Sequence, residues 1–160
     1  MIRRSKQPRC GTTAVEMALV ISVLLFLIIG LIVCGFGVFR YQQVACLSRE
    51  GARWASARGG DYQKDTKLNS PTRQEIIDRA VLPLAVGMDP EKLTVQVEWI
   101  DRGSGTVWDW DAALKDVRSI TPDGEYVSNA VRVTVSYQWS PGLFWDPVTV
   151  RSVCEMPMSN

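Results

Sequence analysis

The chain of 160 residues contains no histidine. That absence removes the side chain that most often acts as a general base near neutral pH, activates a Ser or Cys nucleophile, or ligates a transition metal. Cysteine is scarce, four in all with no Cys-x-x-Cys pair, so no zinc site is legible. Beyond the first ten residues, clustered basic charge is missing too. Lys and Arg total 18 against 17 Asp and Glu, and no basic face of the kind that nucleic acid requires stands out. These gaps argue against an enzyme, against a metal or other cofactor, and against a nucleic-acid partner. No internal repeat or low-complexity segment is visible.

What the chain does have is one long apolar run. From Met17 to Phe39 no residue is charged, and Ser22, the only clearly polar side chain, can bond back to its own helix. An α-helix crosses the hydrocarbon core of a bilayer in about 20 apolar residues, so this run is expected to span a membrane and contact lipid. Arg3, Arg4, Lys6 and Arg9 precede it without an acid among them, and only Arg40 follows before a mixed-charge region. By the positive-inside rule the N-terminus is cytoplasmic and the C-terminal bulk lies outside. The expected organisation is a basic leader over 1–11, a transmembrane helix over 12–39 and an exported domain over 40–160. Taking the four basic leader residues and Glu16 from the totals leaves fourteen Lys and Arg against sixteen Asp and Glu outside.

Beyond Phe39 no proline interrupts the helical pattern before Gly59 and Gly60, so the helix should run on to about Arg58. At about 100° per residue, Tyr41, Val44, Ala45, Leu47, Gly51, Ala52, Trp54 and Ala55 share one arc, and Gln42, Cys46, Arg49, Glu50, Arg53 and Ala57 the other. "DYQKDTKLNS" reads as a polar loop. Pro71, with Thr72 and Glu75 in a capping-box pattern, then opens a short helix that Pro83 disturbs and Gly87 ends. Leu93, Val95, Val97 and Trp99 alternate with polar residues, as do Val131, Val133, Val135, Tyr137 and Trp139, which marks two half-buried strands. "VTVRSVCEM" reads as a third. Between the first two strands, residues 102–128 form a loop-rich excursion with a helical turn or two over Ala112–Val117. The expected fold is α+β, a long helix with a short helix and an antiparallel sheet of about three strands packed on its amphipathic half.

Several side chains invite chemical readings. Asp109 and Asp111 have the look of paired carboxylates or calcium ligands, but no Gly-spaced acidic loop surrounds them. Of the tryptophans, Trp99 and Trp139 alternate with inward positions and belong in a core, while Trp108, Trp110 and Trp145 are more open to surface use. Arg49, Glu50 and Arg53 read equally as a partner-binding patch or as a solvated face with local ion pairs, and Gly51 as a close helix contact. Cys46 and Cys154 are the only cysteines beyond the apolar run, hence the one candidate disulfide on the exported side. Cys46 falls on the polar arc and Cys154 on a sheet packed against the opposite arc, and that geometry speaks against the bond.

Glu16 stands one residue before the apolar run, in "GTTAVEMALV". A short basic leader, Gly11, four residues, a glutamate and then an apolar helix resemble type IV prepilin-like signals. In those a membrane peptidase cuts after glycine and leaves glutamate as fifth residue of the mature chain. The resemblance narrows to the TadE-like pseudopilins of tight-adherence pili, because "SREGARWA" from Ser48 to Ala55 is similar to a motif those proteins carry on the membrane-proximal helix. Met17, Ser22 and Val33 depart from the pattern, where an aromatic, a proline and a second acid are commoner. The resemblance implies a minor pilin or pseudopilin in the cytoplasmic (inner) membrane of a bacterium, cut between Gly11 and Thr12 by a prepilin peptidase. Its implied partners are other pilins and pilus assembly proteins. Glu16 is then an assembly device, since a buried polar pair is well suited to setting register. The other reading is a single-pass accessory protein that binds an extracytoplasmic partner without entering a filament. Release by a signal peptidase near Gly35 is disfavoured by Glu16 and by the helix continuing past Phe39.

Overall fold

The computed structural model describes residues 10–142 and 146–159, with side chains from Thr13 onward. Residues 1–9 of the leader, and Trp145, lie outside the described residues. Helix α1 runs from Cys10 to Ser56, and contacts divide the chain into one unit ending at Val38 and another over Phe39–Asn160. In the first unit the apolar side chains stand exposed on a bare helix, Phe26 and Leu31 both at 78%. One helix is thus long and apolar enough to cross a membrane. The Ser22 hydroxyl donates to the Leu19 carbonyl at 2.9 Å, which satisfies the one polar group in the run.

In the second unit α1 ends at Ser56, two residues short of the expected Arg58 and before the paired glycines. The Arg58 amide closes the last turn on the Ala55 carbonyl at 3.0 Å, and its guanidinium donates to the Trp54 carbonyl at 3.2 Å, so two C-terminal carbonyls are satisfied. The segment read as a polar loop instead forms α2 over Gly60–Thr66. Its polarity hid it. The helix needs no apolar face, because the Gly60 amide is anchored on the Lys115 carbonyl at 2.7 Å and an Asp61–Lys64 pair at 2.9 Å braces one side. Helix α3, Arg73–Ile76, starts with the expected capping box: Thr72 Oγ1 accepts from the Glu75 amide and Glu75 Oε2 from the Thr72 amide. It widens into a π turn over Ile77–Val81 and tightens to a 3₁₀ turn over Leu82–Leu84, where Pro83 supplies no N–H.

The sheet has four antiparallel strands rather than about three, in the order β2 (Thr106–Asp109), β1 (Leu93–Asp101), β5 (Ala130–Trp139), β6 (Val148–Pro157). A separate two-stranded ribbon joins β3 (Arg118–Ile120) and β4 (Tyr126–Ser128). So the 102–128 excursion carries three short strands, and its helical turn lies at Trp110–Ala112, not at Ala112–Val117. The register Val97↔Val133↔Cys154 puts one face of β1, β5 and β6 against a shared core. Val44, Leu47, Ala52 and Ala55 of α1 meet Val97, Trp99, Val131, Val133 and Val135 there, with Ile76 and Val81 from the α3 segment. On the opposite face Arg132 pairs with Glu98 at 3.6 Å and Glu155 at 3.1 Å, and Arg102 reaches Glu155 at 2.9 Å. These arginines hold the Glu155 carboxyl below the usual carboxylate range, Arg102 foremost.

Tyr41, placed on the inward arc, is exposed, and Ser48, placed on neither arc, is fully buried. Ser48 is tolerated there because its hydroxyl donates to the Ala45 carbonyl at 3.0 Å and lies 3.0 Å from Ser152 Oγ on β6. Asn129 is likewise fully buried and ties the excursion to the sheet. Its Oδ1 accepts from the Arg102 amide at 3.0 Å and the Ser119 hydroxyl at 2.6 Å, and its Nδ2 donates to the Asp116 carbonyl at 2.9 Å.

Candidate functional site

The membrane segment offers one feature with chemical character. Glu16 is exposed and is the only charged residue between Cys10 and Phe39. Gly11 and Thr12 are part of the α1 backbone, four to five residues before it, and their side chains lie outside the described set. The helical rise places Glu16 about 6 Å along the axis from Thr12. In hydrocarbon a carboxylate is costly without a partner, so an exposed Glu16 at the head of this run favours an arrangement that brings a cation to it.

The second motif, "SREGARWA", divides by helical geometry into two faces. Ser48, Gly51, Ala52 and Ala55 are buried against the domain's own sheet. A Cβ built on Gly51 would lie 3.3 Å from Val133 Cγ1 and 3.3 Å from Val81 Cγ2. Gly51 thus lets the helix approach β5 and the turn after α3 closely. Gly51→Leu is expected to force these valines apart and lower stability by about 1–3 kcal/mol, the range for overpacking a core. Urea unfolding of the detergent-solubilised chain, followed by far-UV circular dichroism, measures it.

The outer face carries Arg49, Glu50 and Arg53. Arg53 Nε–H and Nη2–H donate to the two Glu50 carboxylate oxygens at 3.1 and 2.6 Å. This pair is largely solvated, and water and salt screen it. Beyond it the surface sinks. The Arg58 guanidinium stacks over Trp54 at 4.1 Å and reaches the Tyr62 ring at 5.9 Å. These three side chains wall a hollow of about 460 Å³ whose far side is Leu68, Thr72 and Arg79. A smaller hollow shares Trp54 and Arg58 and is lined by Glu50 and Arg53, so the motif's outer face runs into the groove. The sequence reading missed Arg58 and Tyr62. The i,i+4 spacing of Trp54 and Arg58 was a visible signal, but Tyr62 sat in a segment taken for loop.

Other candidates resolve differently. Trp110 is fully buried, not a surface platform, whereas Trp108 is 51% exposed. Asp111 Oδ1 accepts from the Arg73 amide at 2.8 Å and Asp109 Oδ2 from Arg73 Nη1 at 3.3 Å, so both carboxylates serve the start of α3. Among the described residues no cluster of acids and cysteines is suited to hold a metal. Cys34, Cys46 and Cys154 are free thiols, so the candidate Cys46–Cys154 bond is not formed. Cys46 is exposed on the outer arc, while Cys154 is half-buried beside the core, where burial pushes its thiol pKa up.

No curated protein and no solved structure matches the chain. Residues 11–53 match the family model described as TadE-like protein, from the glycine before Glu16 through the outer arginine of the second motif, so over that segment the chain is similar to TadE-like proteins.

Proposed function

We propose that the protein is a minor pilin or pseudopilin of a tight-adherence pilus and works by assembly rather than catalysis. The observation that carries this reading is the family match at residues 11–53, which takes in the first motif and Ser48–Arg53 of the second on one helix. In this reading a prepilin peptidase removes the basic leader after Gly11, and the new α-amino group of Thr12 is protonated at neutral pH. The amine of one subunit then meets Glu16 of a neighbour offset by a few residues, and the charge pair fixes the stagger of helices packed in the cytoplasmic membrane. The domain from Phe39 onward is exported and presented to other pilus components.

Sequencing the N-terminus of membrane-extracted protein, from cells that carry the peptidase, tests the processing step. Thr12 is the expected first residue. An intact Met1, or a start near Gly35, would overturn the pilin reading; the former outcome favours a membrane-anchored accessory protein instead. Gly11→Leu is expected to block cleavage and leave insertion intact, because the apolar run is untouched.

A further inference from the structure

Two features of the second unit carry opposite charge and make no ion pair among the described residues. In the groove, Arg58 and Arg79 make no ion pair with any described residue, and Glu75, the acid on its wall, is engaged in the α3 capping box. Trp54, Tyr62 and the exposed Leu68 supply apolar surface in the same groove. The β3–β4 ribbon has the complementary set. Asp123 and Glu125 at its tip are exposed and make no ion pair among the described residues. Beside them Ile120 and Tyr126, cross-strand partners on the ribbon's outer face, are 56% and 74% exposed.

The tip is also held rigid. The Gly124 amide donates to the Thr121 carbonyl at 2.9 Å, the Thr121 amide to the Glu125 carbonyl at 2.9 Å, and Gly124 takes the positive φ of +82° that closes such a turn. A preorganised tip loses little conformational freedom on docking.

From this we infer that the β3–β4 tip of one copy docks into the Trp54–Arg58–Arg79 groove of another. Asp123 and Glu125 face the two guanidinium groups, and Ile120 and Tyr126 cover the aromatic wall. The two surfaces are different patches of one chain, so the contact is head-to-tail and propagates as an open row instead of closing as a dimer. Exposed charge pairs are individually weak. Copies anchored in one membrane meet at high effective concentration, however, and a weak repeating contact then suffices. This inference rests on the assembly reading for the presence of many copies side by side.

The test uses two differently tagged full-length chains co-expressed in the same membranes, with solubilisation and recovery of one tag through the other. Reversing the groove in both copies (R58E/R79E), or the tip in both (D123K/E125K), is expected to lower recovery about tenfold, because attraction becomes like-charge repulsion. Combining a groove-reversed copy with a tip-reversed copy restores complementary contacts in both directions, and recovery should return to near the wild-type level. R79E alone, at an exposed position away from the Trp54 stack, controls for misfolding and should show a smaller loss. Unchanged recovery in the doubly reversed pairs overturns the inference. So does loss without restoration in the mixed pair, which would assign the groove to a different partner. Co-purification of other pilus components depends on Glu16 in the assembly reading and not on this contact. Its retention beside a failed charge swap therefore removes the groove contact alone.

Discussion

Trp110→Ala is expected to lower the stability of the Phe39–Asn160 unit by about 3–5 kcal/mol, the range for truncating a buried aromatic. Trp110 has no exposed surface, and its Nε1–H donates to the Pro71 carbonyl at 2.8 Å. The ring thereby pins the start of α3 to the turn after β2. Lys115 Nζ sits 5.1 Å from the ring centroid and 3.4 Å from the same carbonyl, and burial lowers its pKa. Truncation would leave a cavity, a carbonyl short of its main donor, and a half-buried ammonium without the ring face that helps hold it. Domains of this size have about 5–15 kcal/mol in total, so the loss takes a large share. Trp108→Ala, two residues earlier at an exposed position whose Nε1–H bonds only Thr106 Oγ1 at 3.2 Å, should stay within about 0.5 kcal/mol. Urea unfolding in detergent, followed by far-UV circular dichroism, separates the two. A loss below about 1 kcal/mol for Trp110→Ala would contradict the packing described.

The contrast between those two tryptophans shows where sequence reading stops. Strand alternation placed Val97, Trp99, Val131, Val133 and Val135 inward, and all five are buried. Helical periodicity placed Val44, Leu47, Ala52 and Ala55 against the sheet, and Thr72 with Glu75 announced α3. In each case the signal is local and repeats. Trp110 is buried by a carbonyl 39 residues away, Ser48 by a hydroxyl 104 residues away, and Asn129 by partners at Arg102, Asp116 and Ser119. Such partnerships have no period, and a polar side chain reads as exposed until its partner is known. Helix α2 was hidden for a related reason: a short helix anchored by one backbone bond and an ion pair needs no apolar stripe. Of the candidate site, the charged outer face of the second motif was legible. The groove beyond it was not, since one wall comes from α2 and the other from the segment around Pro71.

Glu16→Ala is expected to leave membrane insertion and domain stability unchanged while sharply reducing assembly. Insertion survives because the substitution lengthens the apolar run, and the domain's core contains no residue before Val44. Assembly suffers because the Thr12 amine of the neighbouring subunit loses its carboxylate and is left charged in a poorly hydrated setting. Removing one partner of a buried pair costs about 3–5 kcal/mol, and even the lower figure weakens association on the order of a hundredfold. Glu16→Gln keeps size and hydrogen bonding but not charge, and should be impaired to a lesser degree.

The measurement that bears most directly on this account is recovery of other pilus components with the wild-type and Glu16→Ala chains, after N-terminal sequencing has shown both to begin at Thr12. The account predicts a fall on the order of a hundredfold for Glu16→Ala at equal expression, the size expected for the lost pair. Undiminished recovery would show that Glu16 is an ordinary flanking acid and would contradict assembly through the amine–carboxylate pair.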